Sequence, residues 1–166
     1  MRNLAGAHPR KIKIGAALNT SALFTDEQYR NLALEQFSMV TPENSMKPQF
    51  IHPEPTKYDF SEADQLVDIA LKNNMTVHGH SLIYDKSNPD WMTKSNIADR
   101  QEIMISHVKN VVDHFKGKVA EWDVVNEPFS KKNALYKNLG SGLEPNIWFK
   151  AMREEYIDLA FKTAHE

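Results

Sequence analysis

Apolar positions along the chain alternate between two periods. The run "KIKIGAALN" spaces Ile12 and Ile14 two apart before turning wholly apolar, which predicts a strand. The stretch after it, "FTDEQYRNLALEQF", predicts a helix, with Thr25 and Gln28 at the spacing of a capping box. "FSMVTPEN" repeats the strand pattern and leads through the Pro-rich "HPEPTKYDF" to Ser61 and the helix-period set Ala63, Leu66, Val67, Ala70 and Leu71. "MTVHGHSLI" is a third strand, followed by the longer loop "YDKSNPDWMTKS". The helix expected next lies in "NIADRQEIMISHVKNVVDHFKG", where Ile103, Ile105, Val108, Val111, Val112 and Phe115 suit a long helix and Gly117 supplies the stop. "VAEWDVVNE" is the fourth strand. After a polar, Gly-containing loop, "EPNIWFKAMREEYIDLAFKTAHE" reads as helix to the last residue.

Strict alternation of short strands and helices predicts one α/β domain over residues 1–166 with a parallel sheet, either doubly wound or part of a (β/α)8 TIM barrel. The polar residues favour the barrel. The strand runs end in Asn19, in Glu43 and Asn44, in His80, and in Asn126 and Glu127, and barrels collect their chemistry at such strand exits. A nucleotide-binding sheet needs a Gly-rich phosphate loop, whereas this chain has only 6 glycines and neither a G-x-G-x-x-G nor a P-loop pattern. A complete barrel takes about 250 residues and eight units. The 166 residues here are expected to cover the first four β/α units, with open edges on the outer strands and a need for the missing C-terminal half.

Composition narrows the function classes. Lys+Arg 20 against Asp+Glu 22 gives a formal net charge of -2 with the signs interspersed, so no footprint for nucleic acid or an anionic membrane is present. Zero cysteines exclude thiol catalysis, disulfides and thiolate metal sites. No apolar run approaches the roughly 20 residues that span a bilayer. The basic start "MRNLAGAHPRKIKIG" lacks the apolar centre of a secretory signal.

Three clusters can carry chemistry. In "EWDVVNEP", an apolar strand run exits into an amide and a carboxylate and stops at Pro128. Glu127 is a candidate proton donor, because a water-poor cleft disfavours its charged form, and Asn126 can orient a hydroxyl. An isolated Asn-Glu-Pro also begins ordinary loops. "TPENSMKP" offers an acceptor, an amide and a cation in Glu43, Asn44 and Lys47, a set suited to a polyhydroxylated ligand and equally to a surface loop. "VHGHS" aims His78 and His80 at one face. Such a pair can ligate zinc with further ligands at roughly 2.0–2.2 Å, which makes a metal-dependent barrel hydrolase a rival reading; the rings can equally be core-facing. Of the aromatics, Tyr84 and Trp91 fall in the predicted loop after the third strand, where stacking on a sugar is open to them. His107 and His114 lie on the third helix with a solvated or structural role expected.

The stretches "IGAALN", "FSMVTPENSMK", "YDFSEADQLVDIALKNNMTVHGHSLI", "PDWM", "VVDHFKGKVAEWDVVNEPF" and "EEYIDLAFKTAHE", in this order and spacing, resemble glycoside hydrolase family ten, the endo-1,4-β-xylanases built on a (β/α)8 barrel. The resemblance covers nearly the whole chain. It implies retaining hydrolysis of xylan or xylo-oligosaccharide without a cofactor or metal, with Glu127 as general acid/base and Asn126 contacting the sugar at the cleavage point. Glu43, Asn44 and Lys47 match the sugar-binding loop of the non-reducing side, and His80 matches the histidine of the G-H-T-L-V-W-H stretch. The family's nucleophile belongs to a later strand, so this chain alone is expected to be inactive; a non-catalytic sugar-binding remnant is the alternative. Tyr84-Asp85 stands where the family usually has Trp-His, Ser87 where a glutamine is common, and Pro48 where an aromatic follows the lysine. These departures imply an altered subsite lined by Tyr84 and Asp85. Family members are commonly secreted, which the N-terminus of this chain does not reflect.

Overall fold

The computed structural model describes residues 1–129 and 143–166. Strands β1 (Gly15–Leu18), β2 (Met39–Pro42), β3 (Thr76–Tyr84) and β4 (Glu121–Asn126) pair in parallel in the order β1-β2-β3-β4. A doubly wound sheet reverses its order at a switch point. Here each strand neighbours the next throughout, as the wall of a barrel requires. The polar loop expected after β4 lies largely outside the described residues.

Helix α1 (Arg2–Ala7) precedes the sheet. Helices α2 (Thr20–Thr25) and α3 (Glu27–Gln36) follow β1, and α4 (Pro48–Ile51) and α5 (Ser61–Lys72) follow β2. After β3 come a 3-10 turn (Asp85–Ser87), α6 (Asp90–Thr93), a second 3-10 turn (Ile97–Asp99) and α7 (Arg100–His114). Helices α8 (Ile147–Met152) and α9 (Glu155–His165) close the described chain. The helix expected after β1 is thus two. Asp26, not Thr25, caps the second by accepting from the Tyr29 amide at 2.9 Å, while Thr25 Oγ1 donates to the Ser21 carbonyl. A carboxylate is the better acceptor for a helix N-terminus. The final segment also splits, where Arg153 takes a positive φ of 54° and lays its guanidinium over the Phe149 ring at 4.5 Å. Helix α1 has no buried residue, so hydrophobic periodicity could not reveal it; Arg2 ties it down by donating to the carbonyls of Leu34, Asn73 and Asn74 at 2.8–3.1 Å.

The core lies between one face of the sheet and α5, α7 and α9. Val40 and Val77 are in register on β2 and β3 and are both buried, facing Leu66 and Val67 of α5 and Met104, Val108 and Val111 of α7. Each fully buried side chain of this kind contributes about 1.5–3 kcal/mol relative to exposure. Leu71, predicted to join the α5 stripe, is exposed. On the same side of the sheet, Gly79 meets the Trp122 indole so closely that an added Cβ would stand 2.1 Å from Trp122 Cε3. Trp122 in turn packs at 5.9 Å from the Phe115 ring. Because strand side chains alternate faces, His78 and His80 of β3 and Glu121 and Asp123 of β4 are directed to the opposite side.

His107 is fully buried rather than on a helix surface. Burial, reinforced by the neighbouring His52 and opposed by a backbone hydrogen bond, lowers its pKa to about 3. The neutral ring therefore donates Nε2–H to the Leu82 carbonyl (3.1 Å) and accepts at Nδ1 from His52 Nδ1–H (3.2 Å). His52 stacks on Tyr58 at 3.9 Å and its carbonyl accepts from Trp91 Nε1 at 3.0 Å, which places Trp91 against the α4 to α5 connection. His114 pairs with Asp64 at 2.8 Å and stacks on Phe60.

Two outcomes follow from this packing. Gly79→Ala destabilises the fold by about 1–3 kcal/mol or more through overpacking, and trimming the indole in a Gly79→Ala/Trp122→Leu double variant recovers part of the loss in urea denaturation. His107 stays neutral in the fold while the unfolded ring takes a proton near pH 6.5. Its contribution to stability is complete above that pH and is lost as pH falls toward 3, with a slope of up to about 1.4 kcal/mol per pH unit. The urea midpoint accordingly drops between pH 7 and pH 4. The drop is shallower in His107→Gln, whose amide keeps a donor and an acceptor without titrating.

Candidate functional site

The site is built at the exits of the four strands. Asn19, just past β1, accepts from the Ala22 amide at 2.9 Å and so caps α2, while its Nδ2 donates to Glu43 Oε2 at 3.0 Å. The loop after β2 is held from below. Ser45 Oγ and Thr20 Oγ1 share a buried hydrogen bond at 3.0 Å, Met46 enters the core, and buried Pro48 opens α4. Between these anchors Lys47 Nζ donates to Asn44 Oδ1 at 2.9 Å and lies 5.8 Å from the centre of the Tyr84 ring. Glu43, Asn44, Lys47 and Tyr84 are thereby brought together from two strands.

The middle of β3 and β4 carries a polar ladder. The register sets His78 beside Glu121 and His80 beside Asp123. Asp123 Oδ2 accepts from His80 Nδ1 at 2.8 Å and from His78 Nε2 at 3.1 Å, and His78 Nδ1 lies 3.2 Å from Glu121 Oε1. Burial works against the charged His78 ring, yet hydrogen bonds to Asp123 and Glu121 outweigh it and raise its pKa. Burial likewise works against the Asp123 carboxylate, and the two histidines overcome it to lower its pKa. Both histidines thus turn to carboxylates on the neighbouring strand. Among the described residues no group of three or more histidines and carboxylates is arranged to hold a metal ion.

Above this ladder β3 carries an irregularity in its register between His80 and Ile83, beyond which Tyr84 pairs with Asn126. Tyr84 is the last residue of the strand rather than part of the loop. Glu127 leaves β4 with φ 49°, a left-handed conformation uncommon outside glycine and asparagine, and Pro128 follows at once. Its carboxylate forms an ion pair with Lys86 of the 3-10 turn. Lys86 Nζ also lies 5.9 Å from the Tyr84 ring centre, so that ring has a lysine near it from each neighbouring loop. Asp85 faces elsewhere: its Oδ1 accepts from the Ile147 amide at the start of α8 (3.3 Å) and lies 3.4 Å from Asn88 Nδ2.

The structure therefore gathers Glu43, Asn44, Lys47, Tyr84, Asn126 and Glu127 at the strand exits, with His80 beneath them on Asp123. It assigns Asp85 a loop-fastening contact, and it places Trp91 beside His52, away from this group. Lys86 and Asp123 are additional members that the sequence reading did not select, and Asn19, read there only as a strand exit, joins them. Asp123 had a signal: a carboxylate inside an apolar strand, at the same alternation as Glu121, across from a His-x-His. Lys86 had none, because its loop position alone matches any solvated lysine. Chemically, amides and lysines of this kind suit hydroxyl-rich ligands, and Glu127 at the same rim is exposed and ion-paired with Lys86 rather than enclosed in the water-poor cleft expected from the sequence.

Comparison with known proteins bears on the family and the fold. The model of the family described as glycosyl hydrolase family 10 matches residues 3–166. A β-1,4-xylanase of Dictyoglomus thermophilum is 43% identical over 156 residues, which cover 92% of this chain and 41% of that protein. Among solved structures, xylanase XynB from Paenibacillus barcinonensis, complexed with a conduramine derivative, superposes with a TM-score of 0.85 at 29% identity, covering 99% of this chain and 49% of the other. Xylanase 10B from Thermotoga petrophila RKU-1 in complex with xylobiose gives a TM-score of 0.80 at 36% identity, covering 92% and 45%. The chain spans less than half the length of these relatives, and its four β/α units correspond to part of their (β/α)8 barrels.

The ladder generates a pH-dependent outcome. Because the fold raises the His78 pKa, the stability gained from its protonated ring is complete below the unfolded value near 6.5 and is lost as pH rises through the folded value. Replacing the shared acceptor, Asp123→Asn, lowers the His78 titration midpoint as read from the ring carbons by NMR. An unmoved midpoint would assign the effect to Glu121 alone.

Proposed function

This chain belongs to glycosyl hydrolase family 10, and on that premise we propose that it carries the acid/base part of a retaining endo-1,4-β-xylanase acting on xylan or xylo-oligosaccharide. The observation that supports the reading best is the position of Glu127. Its backbone is turned out of β4 by a left-handed residue and a proline, into the same rim as Tyr84 and the Glu43 to Lys47 loop. The xylobiose complex of a structural relative supports the choice of sugar.

In this mechanism Glu127 gives a proton to the glycosidic oxygen as its bond to the anomeric carbon breaks, while a second carboxylate attacks that carbon from the opposite side. Glu127, now ionised, takes a proton from the water that releases the covalent intermediate. Asn126, Asn44 and Lys47 hold hydroxyls of the sugar, with Glu43 as an acceptor fixed by Asn19. Tyr84 offers a ring face for stacking. Retention needs the two carboxyl groups about 5–5.5 Å apart. We assign the second one to the C-terminal half of the barrel, the part of the relatives' length that the match does not reach.

Fusing this chain to the C-terminal barrel half of the Dictyoglomus thermophilum β-1,4-xylanase tests the assignment. Xylan turnover is expected from the fusion and not from the 166-residue chain. Glu127→Gln in the fusion lowers kcat by roughly 10²–10⁴-fold, the usual worth of a positioned acid/base group, with xylotriose binding retained. Turnover indifferent to Glu127→Gln would overturn the acid/base role. A folded fusion that binds xylotriose without hydrolysing xylan would point to a sugar-binding remnant.

A further inference from the structure

The turn after β3 presents one side chain whose purpose the proposed chemistry leaves open. Lys86 sits between two anchored neighbours. Asp85 is fastened to the start of α8 through the Ile147 amide and to Asn88, and Ser87 is buried. The backbone on both sides of Lys86 is thus held by the scaffold, and the lysine alone reaches outward, with its ammonium on the Glu127 carboxylate and near the Tyr84 ring. Glu127 for its part is held by the end of β4 and the proline after it. Two fixed platforms therefore bring a cation to the one carboxyl group proposed to deliver protons.

We infer that Lys86 is a positioning residue for Glu127: it holds the carboxylate at the rim in its charged form and sets the pH range in which the acid is loaded with a proton. The inference rests on the acid/base reading given above for the direction of its effect on turnover, but its effect on Glu127 itself is independent of any turnover. An ammonium in contact with a carboxylate favours the ionised pair. In agreement, the contact with Glu127 is the main influence raising the pKa of Lys86, against desolvation and with smaller help from Tyr84 and Glu144.

Among the described residues, the other charged and titratable groups near Glu127 are engaged as follows. Tyr84 lies across on β3 with Lys47 on its far neighbouring loop, and Asp123, lower on β4, is engaged by His78 and His80. Glu144 belongs to the segment whose amide bonds the Pro128 carbonyl at 2.8 Å. Of the cations among the described residues, Lys86 is the one whose ammonium pairs with the Glu127 carboxylate.

The test is a carboxyl NMR titration of the 166-residue chain, with the Glu127 signal identified by its loss in Glu127→Gln. Lys86→Met is expected to raise the proton affinity of Glu127 roughly three- to tenfold, a range set by the partly exposed pair. Lys86→Arg restores the original affinity, and high salt shrinks the difference between the original chain and Lys86→Met. In the fusion enzyme, Lys86→Met moves the basic limb of the kcat/KM profile to higher pH, since the acid then keeps its proton longer. Coincident Glu127 titrations in the original chain and Lys86→Met, or a Lys86→Arg variant that behaves like Lys86→Met, would overturn the inference. The acid/base reading fails by a different result, namely turnover indifferent to Glu127→Gln, and the titration stands or falls without it.

Discussion

The arrangement depends on the contact between Gly79 and Trp122. A side chain of any size at position 79 would enter the indole, so β3 can lie this close to β4 only with glycine there. That contact fixes the register and decides which residues turn toward the helices. Once Trp122 is directed at Phe115, alternation leaves no choice: His78, His80, Glu121 and Asp123 go to the other face. A slip of β4 by one residue would turn Glu121 and Asp123 toward the helices and expose the indole. The polar ladder is thus a consequence of an apolar fit on the reverse side of the same two strands.

Electrostatics on the two sides of the sheet follow opposite rules. Behind it, His107 is kept neutral by burial, with its hydrogen-bonding capacity met by one carbonyl and one imidazole. In front, partial exposure allows charge, and His78, Asp123 and Lys86 all have their ionised forms favoured by partners. Burial sets the neutral state in the first case, and pairing sets the charged state in the second. The proposed acid Glu127 stands at the boundary of the second regime, where a proton has to be both held and released.

The alternation of strands and helices, the parallel sheet and the polar strand exits were readable because each depends on periodicity or on residue type at the end of a run. Asn126-Glu127 and Glu43 to Lys47 were legible for that reason, and His80 through its spacing from His78. What escaped depends on contacts distant in sequence. Asp85 is assigned to a subsite only through the family resemblance, and its contact with the Ile147 amide, 62 residues later, has no sequence signal. Leu71 fits the helical stripe of α5, yet it stays exposed. Lys86 becomes informative only when a strand 41 positions away brings Glu127 to it. The break at Arg153 and the anchoring of α1 by Arg2 are likewise matters of single polar contacts, to which hydrophobic patterning is blind.

The loops at the strand exits interleave two kinds of residue. In the loop after β2, Asn44 and Lys47 reach outward while Ser45, Met46 and Pro48 are buried; in the turn after β3, Lys86 reaches outward while Asp85 is fastened and Ser87 is buried. Recognition and foundation are therefore written in adjacent letters but supported by different interactions. A lineage can exchange the outward residue, altering which ligand the proposed site would tolerate, while the inward neighbour continues to hold the loop's shape. Divergence in substrate preference on such a frame requires no new backbone, only a change of the side chains that the frame has left unburied.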